Sequence, residues 1–324
     1  MHRRHLAGAA LALLLSAAAG ASPALAQAPS WPDRAVTVIH NYGPGTASDA
    51  MARAVAEAFS ARFGQPFPVV NRDGAAGVVG TRALATAAPD GYTILVGPLT
   101  AITSQPHVVK DTGLGPDAVA PVCNVAVNML GVVVRADSPI RNGADLVAAA
   151  KRQPLNFGSS GRLSLSALGV QKLQAAAGGD FVSVGFRSDG AALTEVIAGR
   201  LDFGAVFLGN ATPQIRDGQL RLIGVFADRR YPEFPGVPTF PEQGIPAEQM
   251  SYAGVLAPRG TPEPILARLE EACAAAMSSA PFLRAVERFA IIPDHRGRTD
   301  FAALLRREHE QLGAALRALG VQPE

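Results

Sequence analysis

The sequence predicts an α/β protein in which β-strands alternate with helices, and its length predicts two domains. Short β-branched runs end at Gly-rich or Ser-rich loops, and most of these loops lead into segments whose apolar residues recur every three or four positions. This alternation is typical of parallel sheets, which bind ligands at the carboxyl ends of their strands. Without a predicted leader of 26 residues, about 298 of the 324 residues remain, which is long for one hydrophobic core and sufficient for two.

The leader has the pattern of an export signal. Arg3 and Arg4 precede a short apolar run, and Ala24 and Ala26 give the A-x-A pattern of a signal-peptidase site. The run is too short to span a membrane, and no cysteine follows it to carry a lipid. We therefore predict a signal peptide over residues 1–26, cleavage near Ala26 and a periplasmic location.

Composition argues against several classes of function. Without the two leader arginines, 27 basic residues stand against 27 acidic ones, and no basic stripe with aromatic residues is present, so we predict no nucleic-acid binding. No His or Cys spacing matches a metal site, and we predict no metal and no cofactor. Cys123 and Cys273 both lie in apolar patterns, which favours buried free thiols, with a bridge in an oxidising compartment as the alternative.

The first strand, loop and helix predict an anion site. A β-branched run ends at the loop 43–46, and the next residues have helical spacing, with Thr46 or Ser48 as the cap and Asp49 in the first turn. Free backbone N–H groups and the positive end of the helix dipole then face the loop, which suits phosphate or carboxylate. A dinucleotide loop fits less well because Ser48 replaces its third glycine. A connection that binds nothing stays open.

The remaining elements repeat this alternation. Up to the point where we place the crossover to a second domain, the predicted elements are strand 67–70, helix 79–87, strand 92–96 with Thr100 in the loop after it, and strands 119–127 and 131–134. The predicted second domain contains helix 143–151, strand 155–157, a helix through residue 173, strand 181–185, helix 191–198 and strands 203–207 and 220–226. Strand 251–257 returns to the first domain, where helices begin at 261, 282 and 301.

Two further loops carry candidate ligand contacts. Residues 158–164 form a Gly/Ser loop between a strand and a helix, as the first loop does, and a pair of such loops could face each other across a cleft. Arg162 and Arg187 either face that cleft or are solvated surface residues, and both interpretations stay open. A serine-hydrolase elbow fails by one residue in spacing at Ser159 and Ser160, and no histidine is placed for a triad, so we predict no catalytic residue.

Several short motifs, in order along the chain, resemble the periplasmic substrate-binding receptors of tripartite tricarboxylate transporters, the Bug receptors. The motifs are Trp31-Pro32, residues 42–49, Asn71-Arg72 with Gly74 and Gly77, residues 88–93, residues 156–159, Val237-Pro238-Thr239, Ala257-Pro258 and Gly260-Thr261-Pro262. Each motif is weak alone. Together, at these spacings and over nearly the whole mature chain, they are specific.

The resemblance implies a two-domain type II periplasmic-binding-protein fold, α/β in class, with a ligand cleft between the domains. It divides the chain into residues 27–128 plus 250–324 and residues 129–249. It implies a small carboxylate as ligand, transport without catalysis, membrane permease subunits as partners and, we expect, a monomer. The residues it places at the ligand are Tyr42, Gly45, Thr46, Ala47, Ser48, Asp49, Thr100, Ser159, Ser160, Arg162, Ser164 and Arg187.

The chain departs from the family pattern at several of these positions. It has Asn41-Tyr42 where members usually carry Pro-Phe, Gly45-Thr46 for Gly-Gly, and Phe186-Arg187 for Tyr-Lys. Leu163 replaces a glycine, and an acidic residue common near Leu208 is absent. Thr46 and Leu163 narrow the predicted pocket, so the usual ligands need not fit as they do in relatives. Two alternative functions stay open, a receptor that presents ligand to a membrane sensor kinase and a periplasmic hydrolase.

Overall fold

The computed structural model describes residues 31–161, 163–289, 291–318 and 320–323. Its strands are β1 (Thr37–His40), β2 (Val69–Asn71), β3 (Thr93–Pro98), β4 (Val119–Arg135), β5 (Leu155–Ser159), β6 (Phe181–Gly185), β7 (Phe203–Phe207), β8 (Leu220–Val225), β9 (Met250–Pro258) and β10 (Ile292–Arg296). Its α-helices are α1 (Ala47–Phe63), α2 (Val78–Ala85), α3 (Thr100–Thr103), α4 (Gly143–Arg152), α5 (Leu165–Ala177), α6 (Asp189–Ile197), α7 (Leu208–Arg216), α8 (Glu263–Ala276), α9 (Ala280–Phe289) and α10 (Arg298–Ala318). The predicted α/β class is confirmed.

The strands form two halves of a mixed sheet that share β4. In the first half, β1 pairs in parallel with β2 and β3, while β9 is antiparallel to both β3 and β4. In the second half, β5 pairs in parallel with β6 and β7, while β7 and β8 are antiparallel to β4. The first half pairs with β4 up to Met129, and the second half from Leu130 onward. This switch lies beside the predicted boundary at residues 128 and 129, and the domain limits themselves stay a prediction.

Strand β4 and strand β10 differ from the sequence prediction. The prediction broke the apolar run at residues 128–130, but β4 continues through them because β9 pairs with it up to Met129 and β7 pairs from Leu130. Strand β10 was not predicted, since Pro293 and three polar residues interrupt any apolar alternation. Antiparallel pairing with β4 nevertheless holds it in the sheet.

The two cysteines form a disulfide, so the expectation of free thiols is wrong. Cys123 on β4 and Cys273 on α8 are bridged, with 6.6 Å between their Cα atoms. Both side chains are fully buried, as their apolar surroundings predict. Burial alone does not distinguish a free thiol from a bridged one. Packing of α8 on β4 decided the outcome, because it brings together two residues that are 150 positions apart.

The C-terminal helix α10 joins the two hydrophobic cores. Near its beginning, Phe301, Leu304 and Leu305 pack in the core that includes residues from β1, β3 and β9. Near its end, Leu312 and Leu316 pack in the core of α4, α5 and β5. In the described ranges no helix has the length and apolar character needed to cross a membrane.

Candidate functional site

The first loop, residues 42–49, connects β1 to α1 and ends in two reciprocal hydrogen bonds at the start of the helix. Thr46 is the N-cap of α1, and its hydroxyl accepts from the Asp49 amide at 3.1 Å. The Asp49 carboxylate reaches back and accepts from the Gly45 amide at 3.0 Å. Of the two predicted caps, Thr46 and Ser48, the structure has Thr46. The amides of Ala47 and Ser48 begin the helix, whose own ladder supplies no acceptor for them.

Asp49 is a buried anchor of this loop. It is 4 % exposed, and its oxygens also accept from Arg53 Nε at 3.0 Å and from Asn71 Nδ2 at 2.8 Å. Burial alone would raise the pKa of the Asp49 carboxyl, but the hydrogen bonds from Arg53, Asn71 and Gly45 hold that pKa below its usual value. Asp49 therefore stays ionised with both oxygens occupied. The hydrogen bonds of Asp49 fix the shape of the first loop, and its negative charge neutralises Arg53.

His40 controls the hydroxyl of Ser48. His40 is fully buried at the end of β1, and its Nδ1 lies 2.8 Å from the Val96 carbonyl, which can only accept, so Nδ1 carries the proton. Its Nε2 lies 3.3 Å from Ser48 Oγ. Burial lowers the pKa of His40, and the neutral ring then accepts the Ser48 proton. Sequence reasoning missed this contact of His40, which no local pattern signals.

Tyr42 and Thr100 meet although 58 residues separate them. The Tyr42 hydroxyl lies 2.9 Å from Thr100 Oγ1, which also donates to the Ala76 carbonyl at 3.3 Å. Burial raises the pKa of Tyr42, so its phenol stays neutral. Because Thr100 uses its proton on Ala76, Tyr42 donates to Thr100. The structure thus brings the first loop, the start of α3 and the turn before α2 together.

Asn41, one of the departures from the family pattern, braces the same region. Its side chain is fully buried and donates to Thr81 Oγ1 at 3.1 Å and to the Pro98 carbonyl at 2.9 Å. Gly77 accommodates this amide closely, since a Cβ there would lie 2.8 Å from Asn41 Nδ2, and Gly77 also has a φ of +90°. The asparagine therefore joins the end of β1 to α2 and to the end of β3 by hydrogen bonds.

The second loop, residues 158–164, connects β5 to α5 and is held differently. Ser159 is fully buried and donates to the Gly161 carbonyl at 3.0 Å within the loop, while Ser160 is exposed. Ser164 caps α5, where its hydroxyl accepts from the Ala167 amide at 3.3 Å and lies 3.0 Å from Ser166 Oγ. Arg162 lies outside the described residues. The exposed hydroxyl available to a ligand in this loop is therefore Ser160.

The third loop, residues 187–190, follows the adjacent strand β6. Ser188 caps α6, and Arg187 is exposed. Asp189 is 4 % exposed, and its Oδ2 accepts from the Phe207 amide at 3.0 Å and from Asn210 Nδ2 at 2.9 Å. Sequence reasoning missed Asp189 and Asn210. The Ser-Asp pair at a helix start is a local signal that could have indicated Asp189, but its partners come from another strand and helix.

The second and third loops lie side by side, and residues next to the first and second loops line one small cavity. Strand pairing sets the end of β5 beside the end of β6, with Ser159 opposite Gly185, which groups the second and third loops. Thr100, next to Tyr42, and Leu165, next to Ser164, line one small cavity together with Met250 and Tyr252 of β9. The geometry offers amide donors and hydroxyls without a free cation in the first loop. Among the described residues, no cluster of His, Cys, Asp or Glu could hold a metal ion.

Neither Ser159 nor Ser160 forms a hydrogen bond with a histidine among the described residues. The serine that meets a histidine is Ser48, and its partner His40 is oriented by a backbone carbonyl. A nucleophile and a base in contact are two parts of a hydrolase site. In the hydrolase alternative, the candidate nucleophile is therefore Ser48 of the first loop rather than Ser159 or Ser160 of the second.

Comparison with known proteins identifies the family and the fold. Residues 51–321 match the tripartite tricarboxylate transporter family receptor, TctC. A UPF0065 protein of Bordetella pertussis is 28 % identical over 319 residues, covering 98 % of this chain and 97 % of the relative. A TctC solute-binding protein from Polaromonas superimposes with a TM-score of 0.82 at 24 % identity, covering 89 % of this chain and all of that one. MatC from Rhodopseudomonas palustris, solved with bound malate, superimposes with a TM-score of 0.69 at 27 % identity, covering 88 % of this chain and all of that one. The two-domain periplasmic-binding fold implied by the sequence motifs is thereby confirmed.

Proposed function

Because the chain belongs to the tripartite tricarboxylate transporter receptor family, we propose that it is a periplasmic receptor that captures a small organic carboxylate and delivers it to membrane permease subunits without catalysis. The signal peptide over residues 1–26, the domain limits at residues 128/129 and 249/250, and a monomeric state belong to this proposal. Malate bound in MatC supports a carboxylate as the class of ligand.

One observation carries the proposal. The N-terminus of α1 presents amide donors in a loop whose nearest cation, Arg53, already forms an ion pair with Asp49. Arg53 is paired with Asp49, and the Ser48 proton is directed to His40, so the Ala47 and Ser48 amides are the donors left for an anion. Each helix end contributes about 0.3–1 kcal/mol to anion binding at an exposed site, and more when the site is desolvated. Neutral donors release an anion more readily than a buried salt bridge would, which suits a receptor that must give up its cargo.

The second and third loops complete the proposed site. Each begins a helix with a serine cap, Ser164 on α5 and Ser188 on α6, so each adds a dipole end of the same sign. The shared cavity between Thr100 and Leu165 supports convergence of the loops from both halves of the sheet. Closure of the two halves about β4 and β9 would then surround the ligand with donors from both sides.

The test uses the purified chain from Gln27 and a panel of carboxylates, namely malate, succinate, adipate and citrate, with succinamide as an uncharged control. Binding to the folded state raises the melting temperature by mass action, so at least one carboxylate should stabilise the protein, and succinamide should not. No stabilisation by any member would contradict the receptor function for this ligand class. Calorimetry with the best ligand should give one molecule per chain.

Replacing a neutral helix cap by a charged one tests whether the second loop belongs to the carboxylate site. Ser164→Asp keeps a good N-cap but places a negative charge at the second loop, so it should weaken carboxylate binding at least about tenfold with little change in melting temperature. Asn142→Asp, the same kind of change at the cap of α4, is the matched control and should leave binding unaltered. Equal affinity in both variants would remove the second loop from the site.

The hydrolase alternative makes a separate prediction at Ser48. If Ser48 were a nucleophile, the wild-type chain would turn over an activated ester such as p-nitrophenyl acetate, and Ser48→Ala would abolish that turnover. The receptor proposal expects no difference between the two proteins above the uncatalysed rate. A partner test in cells, by crosslinking and mass spectrometry, distinguishes permease subunits from a sensor kinase.

A further inference from the structure

A second cavity of about 310 Å³ lies where α5, β9 and α10 meet. It is polar, and its lining includes Gln249 just before β9, Lys172 of α5, and Arg307 and Glu308 of α10. Its other charged lining residues are Arg296, Asp228 and Glu248, so three cationic and three acidic side chains line it. None of the described residues of the three loops lines it, but Met250, Tyr252 and Glu308 line both this cavity and the small one between Thr100 and Leu165. Lys172 lies eight residues, or about two turns of helix, after the Ser164 cap, which is about 12 Å along α5.

Two acceptors of this cavity lack donors among the described residues. Gln249 is 2 % exposed, and its Oε1 is buried with no hydrogen-bond partner, while its Nε2 donates to the Met250 carbonyl at 3.3 Å. Glu308 makes no hydrogen bond or ion pair there. Burial raises the pKa of Glu308 against the opposing charges of Lys172 and Arg307. A buried acceptor without a donor is destabilising, so Gln249 Oε1 favours a ligand that donates, and the half-buried Glu308 carboxylate lines the same cavity.

Two cationic side chains of the same cavity, Lys172 and Arg307, have N–H groups available for a ligand. Lys172 Nζ donates to the Glu248 carbonyl at 2.8 Å, which uses one of its three protons. Arg307 is exposed and forms no ion pair among the described residues. Burial lowers the pKa of Lys172, and the charges of Glu308 and Glu248 oppose that shift. Lys172 and Glu308 influence each other electrostatically without forming an ion pair.

We propose that this cavity binds a small zwitterion of the amino-acid class. Its ammonium group would donate to Glu308 and Gln249 Oε1, and its carboxylate would accept from Lys172 and Arg307. A simple carboxylate would leave the Glu308 and Gln249 acceptors unpaired beside a new negative charge, and a simple amine would leave Lys172 unpaired. A ligand with both charges satisfies each group. The volume accommodates a small amino acid, and the cavity adjoins the small one between Thr100 and Leu165, since Met250, Tyr252 and Glu308 line both.

The test is calorimetry on the chain from Gln27 with glycine, L-alanine and L-glutamine, and with propionate and propylamine as probes of single charge. At least one zwitterion should bind, and the single-charge probes should bind at least about tenfold more weakly. Absence of binding by all three zwitterions at about 10 mM, or equal binding by propionate or propylamine, would overturn the proposal.

Variants assign the binding to this cavity. Glu308→Gln and Lys172→Met should each weaken zwitterion binding at least about tenfold. Glu310→Gln is the matched control, because Glu310 is exposed on the same helix and does not line the cavity. Melting temperatures of the free variants confirm that each is folded. Since an amino acid also carries a carboxylate, Ser164→Asp is included. Loss of zwitterion binding in Ser164→Asp, or equal binding in Glu308→Gln and Glu310→Gln, would place the ligand elsewhere and contradict the proposal.

Discussion

The first and second loops begin their helices in the same way but are held by different kinds of contact. Each follows a parallel strand and ends at a hydroxyl cap, Thr46 or Ser164. The first loop is tied to distant elements through Asp49, His40 and Tyr42, whose partners lie on β2, β3 and α3. Among the described residues, the side-chain hydrogen bonds of the second loop instead stay within the loop and the first turn of α5, and one backbone bond, from the Phe186 amide to the Ser159 carbonyl, joins it to the residues after β6.

This difference indicates that the two sides of the proposed site have different tasks. Cross-links to several elements preorganise the first loop, so that it spends little conformational entropy when a ligand binds. A loop with local contacts adapts at lower cost, because fewer partners must move with it. We expect the first loop to define the anion position and the second to adjust to the rest of the ligand.

The largest effect should come from the disulfide, which braces only the first half of the sheet because the sequence has just two cysteines. Closing a loop of about 150 residues stabilises the folded state by about 5 kcal/mol in the chain-entropy account. Urea denaturation with and without dithiothreitol should show this loss. The double variant Cys123→Ala and Cys273→Ala should be as unstable as the reduced protein and insensitive to the reductant. Equal midpoints for oxidised and reduced protein would contradict the prediction.

Asp49→Asn should be the next most damaging change. It removes the charge that pairs with Arg53 and disturbs the contacts to Gly45 and Asn71, for an expected loss of about 2–3 kcal/mol, discounted because Arg53 is half exposed. Asp145 of α4 is the matched control, since its carboxylate accepts from the Arg141 amide in the same way but is less buried. Asp145→Asn should cost less than about 1 kcal/mol by denaturant titration. Similar losses in the two variants would show that the first loop is not specially braced.

Removing each cap should separate stability from binding. Thr46→Ala and Ser164→Ala should each cost about 1 kcal/mol, because each deletes a hydroxyl that accepts a first-turn amide. Hydrogen exchange should rise more at Ala167 in Ser164→Ala than at Asp49 in Thr46→Ala, since Asp49 keeps the first loop closed. The opposite order would reverse the assignment of rigid and adaptable loops.

The smallest effect concerns pH and the His40 contact. Burial lowers the pKa of His40 from 6.5, so the unfolded chain takes up a proton first as the pH falls. Stability is therefore complete above pH 6.5 and decreases as the pH falls toward the folded-state pKa. His107 contributes in the same direction, because burial and His309 lower its pKa. Melting curves between pH 7.5 and about 5 should show the decrease. His40→Gln should reduce the slope, and an unchanged slope would contradict the role of His40.

Local sequence determined the strand and helix order and the helix caps. Capping depends on residues within three or four positions, so Thr46 and Ser164 could be recognised without knowledge of the fold. The βα alternation likewise predicted the class, and the motif spacing predicted the family. The helix expected to begin at residue 261 instead begins at Glu263, because the Thr261 hydroxyl donates to the Pro258 carbonyl and Pro262 occupies the cap position without a side-chain bond.

Only the tertiary structure decided which distant residues meet. His40 and Val96 are 56 positions apart, and the bridged cysteines 150. Their contacts depend on strand register and on which helix packs against β4, and a polar or thiol side chain in an apolar run is compatible with several partners. The sequence therefore determined most of the elements and the caps at Thr46 and Ser164. Strand pairing decided the continuity of β4 and the presence of β10, and the packing of the sheet and α10 determined the network around the first loop and the polar cavity beside Glu308.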